Sequence, residues 1–230
     1  MPSISPVVLI LGAGPNIGQS CARAFAAKGY RVAVASRNNT ATADELHIQS
    51  DFSKPSSVID AFATAKKELG VPSVVVYNAG AATFTPPKDP LSVPLETFIN
   101  NLNINTTSAF VAAQQAALGF AELPETASKT FLYTGNILNE IIIPRMLDQG
   151  AGKSATAHII RSAAEGYKEK GFKQVFYYCD ERKADGGAVY SAIDGDASAK
   201  HYVELSEGKT QGPWQQTFVK DVGYKAFPAA

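Results

Sequence analysis

Cysteine is scarce here: Cys21 and Cys179 are the only pair in 230 residues, so neither a disulfide framework nor a cysteine spacing suited to zinc is present. A reducing compartment suits such a chain. Charge of one sign is missing as well. Lys and Arg number 21 and Asp and Glu number 21, which leaves no net field to grip a nucleic-acid backbone or an anionic bilayer. The expected partner is a small molecule, with no nucleic acid and no membrane. The first apolar run, Val7 to Leu11, is too short for a membrane span or a signal core and has no basic residue before it. A cytoplasmic location is the expectation that follows. Internal repeats, heptads and low-complexity tails are also absent.

What is present is an apolar fraction of 45%, enough to bury the core of one α/β domain spanning 1–230. Strand-like runs near 6–11, 31–35, 73–77, 130–134 and 173–179 alternate with longer helical patterns, and a shorter run near 46–49 precedes Asp51. Pro55 suits the first turn of the helix that follows. This alternation predicts a parallel sheet covered by helices on both faces. Residues 81–94, rich in Pro and Thr, and 182–198, rich in Gly, Ala and Asp, read as loops over a site.

The first strand flows into Gly12-Ala-Gly14-Pro-Asn16-Ile17-Gly18 and then into a helical pattern. Glycines there permit a tight turn and close approach of backbone to a pyrophosphate, while the helix offers free N–H groups and its positive end. A glycine turn needed only for packing is the plainer alternative, and the position after an apolar strand favours binding. After the second strand stands Arg37, with no Asp or Glu to accept bonds from a ribose diol. Either Arg37 is a solvated turn residue or its guanidinium forks onto a 2′-phosphate, and the second reading makes NADP the preferred cofactor over NAD.

Gly12 to Gly18, Asp51 at the end of the third strand, Asn78-Ala79-Gly80 after the fourth and Lys153 in a later helix together resemble the short-chain dehydrogenase/reductase family along nearly the whole chain. The resemblance implies a Rossmann-type, doubly wound parallel sheet. It also implies that Asn78, Ala79 and Gly80 pass under the adenosine ribose, that Asp51 with Phe52 meets the adenine, and that Asn105 bends the fourth helix beside the lysine. A homodimer or homotetramer is implied in the same way.

The chain departs from that pattern where the chemistry lies. Asn16 replaces a glycine, a change that a left-handed backbone would accommodate. Gly135-Asn136 stands where the family's catalytic serine is expected, and Gln149 stands four residues before Lys153, in place of the proton-donating tyrosine. The segment Phe131 to Asn136, and the tail from Tyr202 through Trp214, Phe218 and Asp221, resemble a divergent branch that also lacks the tyrosine and is described as oxidoreductases.

The candidate catalytic set is Lys153, Asn105, Asn136 and Gln149, with the two amides polarising a substrate oxygen. Lys153 either holds the nicotinamide ribose, the favoured role, or gives up a proton. Asp148 and Asp180 are secondary proton donors, each read first as a solvated loop carboxylate. Tyr133 is read as core, His158 as packed or superficial, and Trp214 with Phe218 as packing a C-terminal strand or a subunit contact. Tyr167, Tyr177 and Tyr178 have no spacing that suggests a role. The favoured activity is NADP-dependent reduction of a small carbonyl, enone or imine. The alternatives are a catalytically silent NADP-binding protein and a scaffold recruited for non-redox chemistry.

Overall fold

A computed structural model describes residues 5–39, 41–168, 176–208 and 210–228. Its centre is an eight-stranded sheet in the order β3-β2-β1-β4-β5-β6-β7-β8. The strands are β1 (Val7–Leu11), β2 (Arg31–Ser36), β3 (Leu46–Gln49), β4 (Val74–Tyr77), β5 (Thr130–Thr134), β6 (Phe176–Arg182), β7 (Gln215–Val219) and β8 (Gly223–Tyr224). All neighbours run parallel except β7 and β8. This is the doubly wound α/β sheet expected from the alternating pattern. The central strands β1 and β4 are fully buried and built from Val, Leu, Ile and Tyr, because both sheet faces are covered.

Alternate strand residues feed two apolar layers. Leu9, Val75, Tyr77, Phe131, Tyr133 and Tyr178 point toward α2 (Ser56–Glu68), α4 (Ser108–Glu122) and α5 (Leu147–Gly166). Val8, Ile10, Val76, Leu132 and Cys179 point toward α1 (Ile17–Ala27) and α6 (Gly195–Glu207). Within the first layer Tyr77, Tyr133 and Tyr178 sit side by side, with ring centroids 5.9 and 5.5 Å apart. Such large, fully buried rings contribute both burial and edge or stacking energy.

α3 (Leu95–Leu102) and α4 are joined by a π-helical turn, Asn103–Thr107, that takes up the bend expected at Asn105. A widened turn frees backbone carbonyls for side-chain donors. The Asn105 carbonyl accepts from Tyr133 Oη at 3.0 Å and from Thr156 Oγ1 at 2.8 Å. Its amide meanwhile accepts from Ala81 N at 3.0 Å and donates to Ala81 O at 2.7 Å.

Element boundaries differ from expectation on the C-terminal side. The run near 173–179 begins as a strand at Phe176 and continues to Arg182, because Asp180, Glu181 and Arg182 still pair with Thr217, Phe218 and Val219. Residues 173–175 lie outside the described residues. Asp180 is therefore inside β6 rather than after it. The loop expected over 182–198 shrinks to 183–194, since Asp194 Oδ1 accepts from Asp196 N and Ala197 N and so caps α6. The other loop, 81–94, holds a 3-10 turn at Pro90–Ser92.

Candidate active site

Two hollows open along the carboxyl edge of the sheet. The first, of about 440 Å³, is lined by Gly12, Gly14, Arg37, Asp51, Phe52 and Asn78 to Gly80, among others. Gly12 has φ +102°, and a Cβ there would lie 2.4 Å from Ala79 N, so the two turns can meet only at a glycine. Asn78 Nδ2 closes that junction by donating to Gly12 O at 2.8 Å. Above Gly14 nothing lies within 4 Å of a built Cβ, which leaves room for a ligand over the backbone.

Asp51 Oδ1 accepts from Ser53 N and Ser53 Oγ, and these bonds hold its carboxyl below the usual range. Arg37 is exposed on the rim and makes no hydrogen bond or ion pair among the described residues. A glycine floor, a helix start, a carboxylate and a free guanidinium form a donor set that fits a dinucleotide. Four of the expected cofactor residues, Asn16, Ile17, Gly18 and Lys153, do not line the groove. Ile17 and Gly18 are buried in α1 packing. Asn16, at φ −90° rather than left-handed, donates through Nδ2 to Ile193 O at 2.9 Å and so anchors the 183–194 loop.

The second hollow, of about 350 Å³, is lined mainly by apolar side chains, including Phe84, Ile137, Leu138, Ile143, Met146 and Tyr190. Its polar wall is Asn136, Gln149, Asp180 and Glu181. Asn136 Oδ1 accepts from Leu138 N at 3.1 Å, while Tyr178 Oη donates to Asn136 O at 2.7 Å. These bonds fix the residue and leave its Nδ2 unengaged among the described residues. Gln149 Oε1 is buried without a hydrogen-bond partner, a cost of about 1–3 kcal/mol that a donating ligand would remove.

Lys153 lies behind this wall. Its Nζ donates to Thr134 O at 2.7 Å and sits 4.5 Å from the Tyr133 ring centroid. Burial lowers its pKa to about 7, with Asp180 raising it in opposition. Asp148 and Asp180, expected as solvated loop carboxylates, are both only 1% exposed. Asp148 is a clasp: it accepts from Thr83 N, Asn101 Nδ2 and Gln149 N, which ties the 81–94 loop to α5. Asp180 is paired with Arg182, a residue that sequence reasoning passed over. The sequence signal was available in Asp180-Glu181-Arg182, three charged residues closing an aromatic strand. His158 is exposed on α5, away from both hollows.

Residues 6–179 match the model of the short chain dehydrogenase family. The chain belongs to that family. A short chain dehydrogenase/reductase, dmxR12 of Cryptosporiopsis sp., is 50% identical across 98% of this chain and 96% of its own length. The hydroxynaphthalene reductase-like protein Arp2 of Metarhizium robertsii is 28% identical across 96% of this chain and 80% of its own length. Among solved structures, the 3-ketoacyl-(acyl-carrier-protein) reductase of Brucella melitensis, complexed with NADH, superposes with TM-score 0.77 at 17% identity, over 95% of this chain and 99% of that one. The NADPH-dependent 3-quinuclidinone reductase of Rhodotorula rubra superposes with TM-score 0.75 at 22% identity, over 96% of this chain and 92% of its own. Membership agrees with the sheet order and the glycine turn. No helix among the described residues is long and apolar enough to cross a membrane, and no cluster of His, Cys, Asp and Glu there is suited to a metal.

Proposed function

We propose that this short-chain dehydrogenase reduces a ring-bearing, largely apolar carbonyl or enone with NADPH. The observation that carries the reading is the adjacency of two hollows along one sheet edge, a glycine-floored groove with a free Arg37 and an apolar pocket with amide donors. In the groove, Gly12, Gly14, Asp51 and Asn78 to Gly80 hold the nucleotide, and Arg37 takes the 2′-phosphate. When bound, the reduced nicotinamide supplies hydride.

Asn136 Nδ2 and Gln149 orient the substrate oxygen, so polarisation comes from amides. Lys153 tightens the end of β5 through Thr134 O and serves the ribose. Asn105 fixes the 81–94 loop that roofs the pocket. The names of Arp2 and of the quinuclidinone reductase, both ring-directed, support the substrate class. The exposed Phe110 and Leu118 on α4 support a homo-oligomer.

The test is NADPH consumption across ring ketones, enones and cyclic imines, alongside thermal stabilisation by NADPH and by NADH. Silence across the whole panel would sink the reductase reading. Strong NADPH stabilisation combined with that silence would move the conclusion to a nucleotide-binding protein without turnover. Activity that survives complete removal of nucleotide would move it to non-redox chemistry.

A further inference from the structure

Behind the apolar pocket lies a charged cluster on three elements. Arg182, only 3% exposed, donates through Nε to Asp180 Oδ2 at 2.5 Å, through one terminal nitrogen to Glu140 Oε2 at 3.0 Å and through the other to Gly186 O at 3.0 Å. The other oxygen of Glu140 is held by the Gln215 amide. Both oxygens of Glu140 are thus occupied. Asp180 differs, because Oδ1 accepts no hydrogen bond among the described residues and the side chain forms part of the pocket wall beside Asn136 and Gln149.

Two further groups with a proton line the pocket, Tyr190 on its exposed loop and Glu181, whose Oε2 accepts from Asp194 N; the remaining proton sources nearby are engaged. Lys153 is absent from the pocket lining and spends Nζ on Thr134 O. Asp148 has both oxygens engaged, and Tyr178 Oη is spent on the Asn136 backbone. We propose that Asp180 donates the proton to the substrate oxygen, with Arg182 and Glu140 as positioning residues that hold its carboxyl toward Asn136 and Gln149. This deepens the reductase reading and rests on it.

In the step, the carboxyl O–H bond breaks as the O–H bond of the product alcohol forms. The carbonyl carbon takes hydride from the reduced nicotinamide, and the C–O π pair moves onto oxygen. Arg182 then stabilises the carboxylate through the bond already in place, and one proton from water restores the acid. Burial raises the Asp180 pKa to about 7, with Arg182 lowering it, Glu140 raising it and Lys153 lowering it. The charge of Asp180 in turn raises the pKa of Tyr178 and Cys179 on its own strand and of Tyr202 on α6. A carboxyl that is half-protonated near neutrality suits a general acid.

The experiment compares wild type with D180N, an isosteric change that keeps an acceptor for Arg182. Infrared difference spectra over pH should show a carboxylic-acid band that titrates near neutrality and is missing in D180N, whether or not substrate is present. With a turned-over ketone, kcat of the wild type should fall as pH rises through about 7. In D180N it should drop at least about 100-fold and lose that limb, while NADPH affinity stays within about twofold. Should D180N fail to fold, the wild-type band and pH limb decide the matter, since a carboxylate ionised throughout the range overturns the assignment. Wild-type turnover that D180N retains overturns the role of Asp180 alone. A wild type that turns over nothing overturns the reductase reading and the Asp180 assignment together.

Discussion

Arg37 stands alone at the groove rim, and its removal should separate the two dinucleotides. Charge-assisted hydrogen bonds are worth about 1.5–3 kcal/mol, so Arg37→Ala should weaken NADPH binding about 10–100-fold and leave NADH affinity unchanged in calorimetry. Equal losses for both would remove the 2′-phosphate from the account. Gly135 allows a different kind of test. A Cβ there would lie 2.1 Å from Tyr178 Cε1 on a fully buried ring, so Gly135→Ala should cost about 1–3 kcal/mol, read as a lower urea midpoint at constant m. No shift in midpoint would show that the ring yields freely.

Helix α6 carries a buried histidine whose titration belongs to the packing of the whole element on β7. His201 stacks on Phe218 with centroids 4.4 Å apart, and neither ring nitrogen has a hydrogen-bond partner. Burial lowers its pKa from 6.5 to about 4; Gln216 beside the ring opposes that shift without meeting hydrogen-bond geometry. A depressed value means that the neutral ring stabilises the fold above pH 6.5, and that this contribution, about 3 kcal/mol, is lost as pH falls toward 4. His201→Phe should therefore flatten the fall in Tm across that window. An unchanged slope would place the acid sensitivity in other groups. The bend between α3 and α4 was legible because Asn103-Ile-Asn105 resembles a family feature, whereas the π turn that makes it depends on Tyr133 and Thr156 reaching across from other elements.

Assembly concerns the outer face of α4 and α5, where Phe110 is 46% exposed beside a shallow hollow lined by Ala113, His158, Ile159 and Tyr167. An exposed aromatic ring beside such a hollow between two long helices suits a two-fold contact with a second copy. Wild type should sediment as a dimer or tetramer, and Phe110→Glu should shift it toward monomer with little loss of Tm. A wild type that is monomeric at micromolar concentration would overturn that expectation.

The alternation of strands with helices and the glycine turn were readable along the chain, because each depends on local periodicity or on a φ that only glycine adopts cheaply. The state of the carboxylates was not. Asp148 is buried because Thr83 and Asn101 come from 65 and 47 residues upstream, and the Asp180–Arg182 pair on β6 is closed by Glu140, 42 residues before Arg182. Desolvation and pairing are sums over neighbours that meet only in the folded molecule, so the burial of Asp148 and Asp180, read along the chain as solvated loop carboxylates, was decided in three dimensions.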